Sequence, residues 1–136
     1  MKDITKQWIE FAKADIICSR NSLSDEFLTN IVAFHSQQTV EKCFKAILEE
    51  KGIKLPRIHN LVRLYAKIKD IISFQVDLDV LTTLDEVYTT SRYPGDFGLL
   101  PDGKPSIIEV KGMYNFAKQI LDNTQQLVAG NNKLKS

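Results

Sequence analysis

Apolar residues recur at helical spacing in five stretches of this 136-residue chain, and the period-two alternation expected of strands is almost absent. Over residues 3–21, Ile4, Trp8, Phe11 and Ala12 form the first stripe, with Asp3 or Thr5 placed to cap its start. The cluster from Ser22 to Asp25 reads as a turn. Residues 28–51 are then apolar on nearly every side, through Ile31, Val32, Phe34, Val40, Phe44, Ile47 and Leu48. A helix of that kind sits at the centre of a bundle or is shared with a partner. Gly52 supplies its stop and Pro56 cannot continue it. Residues 60–72 predict a third helix on Leu61, Leu64, Tyr65 and Ile68, capped by His59 or Asn60. Asp77 can cap a fourth through Leu78, Leu81, Leu84 and Tyr88, which Pro94 ends. Residues 95–105 hold three of the six glycines together with Pro101 and Pro105, which predicts a long loop. Ser106 and Glu109 have the spacing of a capping box. The fifth stripe, Ile107, Val110, Tyr114, Ala117, Leu121, Thr124 and Val128, stays close to a seven-residue repeat, as antiparallel bundles and helical dimer seams require. These elements predict an all-α, up-and-down antiparallel bundle of about five helices, with a long loop between the fourth and fifth. One domain over residues 1–129 is expected, with residues 130–136 as a polar, flexible tail.

The informative positions are the polar ones that interrupt this pattern. Asp15 follows Ile4 by eleven residues and Trp8 by seven, so its carboxylate falls on the apolar stripe of the first helix, where a charge needs a partner. On the second helix His35, Gln38, Lys42 and Lys45 lie within about 80° of arc, a polar strip that something polar should face. Arg92 is the lone basic residue between Lys69 and Lys104 and stands beside the stiff pair Tyr93-Pro94. Its planar fork suits a carboxylate or a phosphate. Each of these has a structural alternative. Asp15 could pair with a buried cation to fix helix register, His35 could be a satisfied core histidine, and His59 could be a cap rather than a base. Lys51, Lys54 and Arg57 around Pro56 could form a phosphate-binding rim or a plain solvated loop.

Charge adds an asymmetry. The net charge of +1 predicts no general attraction to nucleic acid or membrane, yet residues 42–69 carry a local +6 and residues 70–109 a local −6. Such halves neutralise each other within a bundle or across a dimer, or else polarise the surface. Cys18 and Cys43 have neither CxxC spacing nor histidine neighbours, so no metal site, cofactor or disulfide is indicated, and both read as small core residues. No apolar signal segment follows Met1, and no apolar run approaches a membrane span. A cytoplasmic protein without membrane contact is expected.

Several motifs in order carry a resemblance. Trp8 with Ala12, Ala14 and Asp15 comes first, and then the run from Phe34 through His35, Gln37, Gln38 and Glu41 to Lys42. Pro56-Arg57-Ile58-His59-Asn60-Leu61 follows, and last Tyr88 with Ser91-Arg92-Tyr93-Pro94. Over about residues 5 to 128 the chain resembles HEPN-domain proteins (higher eukaryotes and prokaryotes nucleotide-binding). The resemblance implies a helical bundle, commonly a homodimer. It also implies one of two activities. Some members are metal-independent ribonucleases with an arginine followed four to six residues later by a histidine, the arginine stabilising the phosphate and the histidine acting as general acid or base. Others are accessory partners of minimal nucleotidyltransferases in toxin–antitoxin-like pairs. Here positions 96, 97 and 98 are Asp, Phe and Gly, so the nuclease histidine is absent after Arg92.

The leading expectation is therefore a non-catalytic or accessory module that dimerises through its second and fifth helices. It would bind a nucleotide, RNA or a nucleotidyltransferase partner, with Arg92, Lys42, Gln38, His35, Asp15 and Tyr93 at the site. The second is a metal-independent endoribonuclease using Arg92 with His35 or His59. The third is a purely structural dimerisation module in which Arg92 pairs with Asp15.

Overall fold

The computed structural model describes residues 1–90 and 104–130. Its helices are α1 (Asp3–Ser22), α2 (Thr29–Glu50), α3 (Leu61–Ile68), α4 (Leu78–Thr90) and α5 (Ile107–Ala129), with a 3-10 turn at Glu26–Leu28 before α2. There is no strand among the described residues. The all-α bundle expected from the apolar periodicity is the one observed.

Helix α2 is the axis of the bundle, packing against each of the other four helices. Val32, Ala33, Val40, Cys43, Phe44, Ala46, Ile47 and Leu48 are all fully buried, as a helix apolar all round should be. Its end is built as expected: Gly52 adopts a φ of 72°, and the amides of Gly52 and Ile53 bond back to Glu49 and Leu48 at 3.0 and 2.9 Å. That is a Schellman stop, which needs the left-handed backbone glycine supplies. Burial of the Cys43 thiol pushes its pKa up to about 12, so this cysteine is inert. Cys18, expected in the core, is exposed on α1.

The buried face of α1 differs from the stripe its large apolar residues trace. Ile4 and Phe11 are exposed at 42% and 60%, and the buried positions are Thr5, Ile9, Ala12, Asp15, Ile16 and Ser19. The true face is turned from that stripe by about 60°, so that Ala12 and Asp15 belong to both. It is set by small residues seven apart, Thr5, Ala12 and Ser19, that let α2 approach closely. Ser19 Oγ donates to the Val32 carbonyl at 3.1 Å and shares a 2.9 Å hydrogen bond with Ser36, Thr39 Oγ1 reaches the Ala12 carbonyl at 3.5 Å, and Thr5 Oγ1 donates to Glu50 at 2.9 Å. The pairing of 5 with 50, 12 with 39 and 19 with 32 shows that the two helices run antiparallel.

Helix starts are served partly from other elements. Neither Asp3 nor Thr5 caps α1, which has no side-chain cap of its own. Instead Glu50 accepts from the Lys2 amide at 3.0 Å and from Thr5. Burial works to raise the Glu50 carboxyl, but the Lys2 amide, the Thr5 hydroxyl and nearby positive charge outweigh it and hold the carboxyl below its usual range. Asn60, not His59, caps α3 by accepting from the Arg63 amide at 2.8 Å. Asp77 and the Ser106–Glu109 capping box start α4 and α5 as their spacing predicted.

Asp85 on α4 completes the α3 cap across the bundle, its two carboxylate oxygens taking the Leu61 and Val62 amides at 2.7 and 3.3 Å. Burial raises its carboxyl above the ordinary 3.8, the two amides pull it back, and the neighbouring Glu41 charge raises it further. A raised folded value means the native state holds its proton more tightly. The Asp85 contribution is therefore fullest in acid and declines as the pH rises through the raised value. Asp85→Ala should cost about 2 kcal/mol by stranding two amides. Asp85→Asn should cost less and remove that part of the pH decline. Urea titrations across the acid range check both, and equal losses for the two variants would contradict this account.

Candidate functional site

Two polar clusters lie side by side on α2, and each is centred on a buried carboxylate. The first uses residues seven apart on one face, His35 and Lys42, which meet Asp15 from α1. Asp15, only 7% exposed, accepts from His35 Nδ1 at 2.7 Å through one oxygen and from Lys42 Nζ through the other. Lys42 also stands over the exposed ring of Phe11, 5.9 Å from its centroid. The residues expected to form a polar centre thus do so for Asp15, His35 and Lys42. Gln38, between them in register, turns away and donates to Gln37 Oε1 at 2.7 Å.

That bond leads into the second cluster. Glu41, 4% exposed, accepts from Lys45 Nζ at 2.8 Å, from His59 Nδ1 at 3.1 Å and from Gln37 Nε2 at 3.2 Å. Gln37 Nε2 also lies 3.2 Å from the His59 carbonyl, fixing the segment that precedes α3. Lys45 stands 5.6 Å from the centroid of the Trp8 ring. The two clusters therefore repeat one plan: a buried carboxylate holding a histidine through Nδ1 and a lysine that leans on an aromatic ring of α1. Rings connect them. His59 stacks on Tyr88 at 5.5 Å, Tyr88 on Phe34 at 6.0 Å, and Phe34 meets His35 edge-on at 5.3 Å.

The geometry fixes what these histidines can do. A carboxylate at Nδ1 accepts a hydrogen bond, so Nδ1 carries the proton and Nε2 of the neutral ring is an acceptor. Such a ring can take up a proton and, once charged, donate to an anionic oxygen. With neutral rings each cluster is balanced, one carboxylate against one ammonium, and protonation gives each a charge of about +1. Lys42 and Lys45 are thus cations compensated by Asp15 and Glu41.

Sequence reasoning passed over Glu41, Gln37, Phe34 and the ring of Tyr88 as site residues. The signal for Glu41 was present: Gln37, Glu41 and Lys45 recur every fourth residue on a helix otherwise apolar, which places all three on one line. Arg92 and Tyr93 lie outside the described residues, as does most of the predicted loop; both oxygens of Asp15 are taken up by His35 and Lys42. Among the described residues no three His, Cys, Asp or Glu side chains gather as metal ligands, and no helix is long and apolar enough to cross a membrane.

A five-helix antiparallel bundle with a carboxylate-anchored polar face on its central helix defines the class of protein. The HEPN domain model matches residues 5–127, and the chain belongs to that family. An archaeal HEPN homologue of known crystal structure, ST0689, is 27% identical with a TM-score of 0.67, over 94% of this chain and 99% of its own. The crystal structure of TT1696 from Thermus thermophilus has the same fold, with 22% identity and a TM-score of 0.75 over 92% of this chain and 98% of that one. No curated protein matches the chain.

Proposed function

We propose that the chain is an accessory HEPN module that binds a nucleotide or RNA at the Asp15–His35–Lys42 edge, with Arg92 and Tyr93 completing the site from the segment after α4. The observation that carries this reading is the first cluster itself. A buried carboxylate orients an imidazole and an ammonium at a half-exposed edge, next to the open ring of Phe11 on which a base can stack. A minimal nucleotidyltransferase in a toxin–antitoxin-like pair is the protein partner this reading favours. Self-association belongs to the same proposal. Most apolar residues of α2 are consumed inside the bundle, with Ile31 left exposed, and Ile4 and Phe11 leave an exposed apolar edge on α1, so a homodimer seam would include α1 as well as α2.

An anionic ligand should bind saturably at this edge, with Lys42 and Nε2 of His35 as its contacts. Calorimetry with ATP and with short single-stranded RNA tests this. His35→Ala and Lys42→Ala should each weaken binding roughly tenfold. Absence of saturable binding for every nucleotide and RNA would refute the proposal.

A second reading has an observation of its own. Both histidines are held at Nδ1 with Nε2 as the working atom, the arrangement a general acid or base requires. A metal-independent ribonuclease using Arg92 with His35 or His59 predicts RNA cleavage in EDTA, abolished by Arg92→Ala and by His35→Gln or His59→Gln with melting temperature unchanged.

A further inference from the structure

A surface pocket of about 410 Å³ opens between the last turn of α1 and the first turns of α5, lined by Arg20, Leu23, Ser24, Ile107 and Lys111. It shares no residue with either cluster on α2. Its lining has a definite division of labour. Arg20 and Lys111 supply two positive charges from different helices, Ser24 adds a hydroxyl, and half-buried Leu23 and Ile107 form apolar walls. Among the described residues no acidic side chain lines it. Neither Arg20 nor Lys111 has a carboxylate within salt-bridge distance among the described residues. Spacing brings these groups to one place, since Ile107 and Lys111 are one turn apart on α5 and Arg20 precedes Leu23 and Ser24 by three and four residues. The amide end of α5 is already served by its own capping box, so the charge offered to a ligand is that of the two side chains.

Two uncompensated cations over apolar walls, in a cavity of small-molecule size, select a ligand with an oxyanion at one end and hydrocarbon at the other. We propose that this pocket binds an amphipathic organic oxyanion, an apolar chain or ring ending in a carboxylate or phosphate. Arg20 takes two oxygens with its fork, Lys111 acts as a point charge, and Leu23 and Ile107 hold the hydrocarbon. With two cations available, a phosphate monoester binds more tightly than a carboxylate of the same chain.

The test uses the full chain with octyl phosphate and octanoate, and with 1-octanol and inorganic phosphate as controls, followed by calorimetry and by amide shifts in NMR spectra. Both amphiphilic anions should saturate and move the Ser24 and Ile107 amides, the phosphate ester more tightly. Octanol and inorganic phosphate should bind far more weakly. Arg20→Ala and Lys111→Ala, both at exposed positions, should each weaken binding roughly tenfold. Arg20→Lys should retain part of it, and His35→Ala should change nothing. Octanol binding as tightly as the anions, failure of both anions to saturate, or parent-like binding by Arg20→Ala would overturn the proposal. So would a loss on His35→Ala without one on Arg20→Ala, which would place the ligand at the α2 site instead.

Discussion

Replacing Glu41 by alanine should destabilise the protein by about 4 kcal/mol, the largest loss from any single polar substitution in the bundle. Glu41 is the shared acceptor of Lys45, His59 and Gln37, and it sits almost fully out of water. Truncation leaves the Lys45 ammonium, itself in a residue only 9% exposed, facing a dry hole, and the Gln37 amide without its acceptor. It also frees the segment before α3, which Gln37 and His59 hold to α2. Glu41→Gln keeps an acceptor and removes the charge, so it should cost about half as much. It should also lower the Asp85 carboxyl from its raised value, because the Glu41 charge is one of the causes of that rise. Urea denaturation gives the first pair of numbers and carboxyl titration by NMR the last. A Glu41→Ala loss under about 1 kcal/mol would mean that water reaches Lys45 and that the cluster is a surface ion pair.

What the sequence made legible, and what it hid, follows one physical division. Helix α2 was readable because its interior is made of large apolar groups that leave no polar face to confuse the pattern, and the Gly52 and Ser106 signals act through local backbone geometry that needs no tertiary context. The face of α1 was misread because the residues that fix it are small. Thr5, Ala12 and Ser19 contribute little hydrophobicity, yet they set how near α2 can come, while Phe11 and Ile4 carry the hydrophobic signal and remain outside. The Asp15 cluster was legible as a charge on an apolar stripe that demanded a partner, because Asp15 lies where the expected stripe and the buried face overlap. Glu41 was less so, since its partners come from three separate places, the preceding turn of α2, the following turn and the segment before α3. Asp85 could not be read at all, because a cap donated from another helix leaves no spacing in the sequence.

Asp15→Ala should cost about 3 kcal/mol, less than Glu41→Ala because Lys42 and His35 are partly open to solvent and recover some hydration when freed. Ligand binding, measured beside stability in a combined variant, separates a structural ion pair from a site. If Asp15 and Lys42 serve stability alone, replacing both by apolar residues, Asp15→Leu with Lys42→Met, restores most of the loss, since well-packed hydrophobes often match a buried pair. A double-mutant cycle should then show a coupling of about 2 kcal/mol between them. Recovery of stability in that double variant is expected here as well, because the α1–α2 seam already has the close packing an apolar pair needs. Ligand binding, however, should stay lost. Asp15 fixes the proton of His35 at Nδ1 and thereby aims Nε2, a service no leucine performs. A double variant that regains both stability and nucleotide or RNA binding would mean that the cluster only sets the register of α1 on α2. One that regains stability and not binding assigns the cluster to recognition.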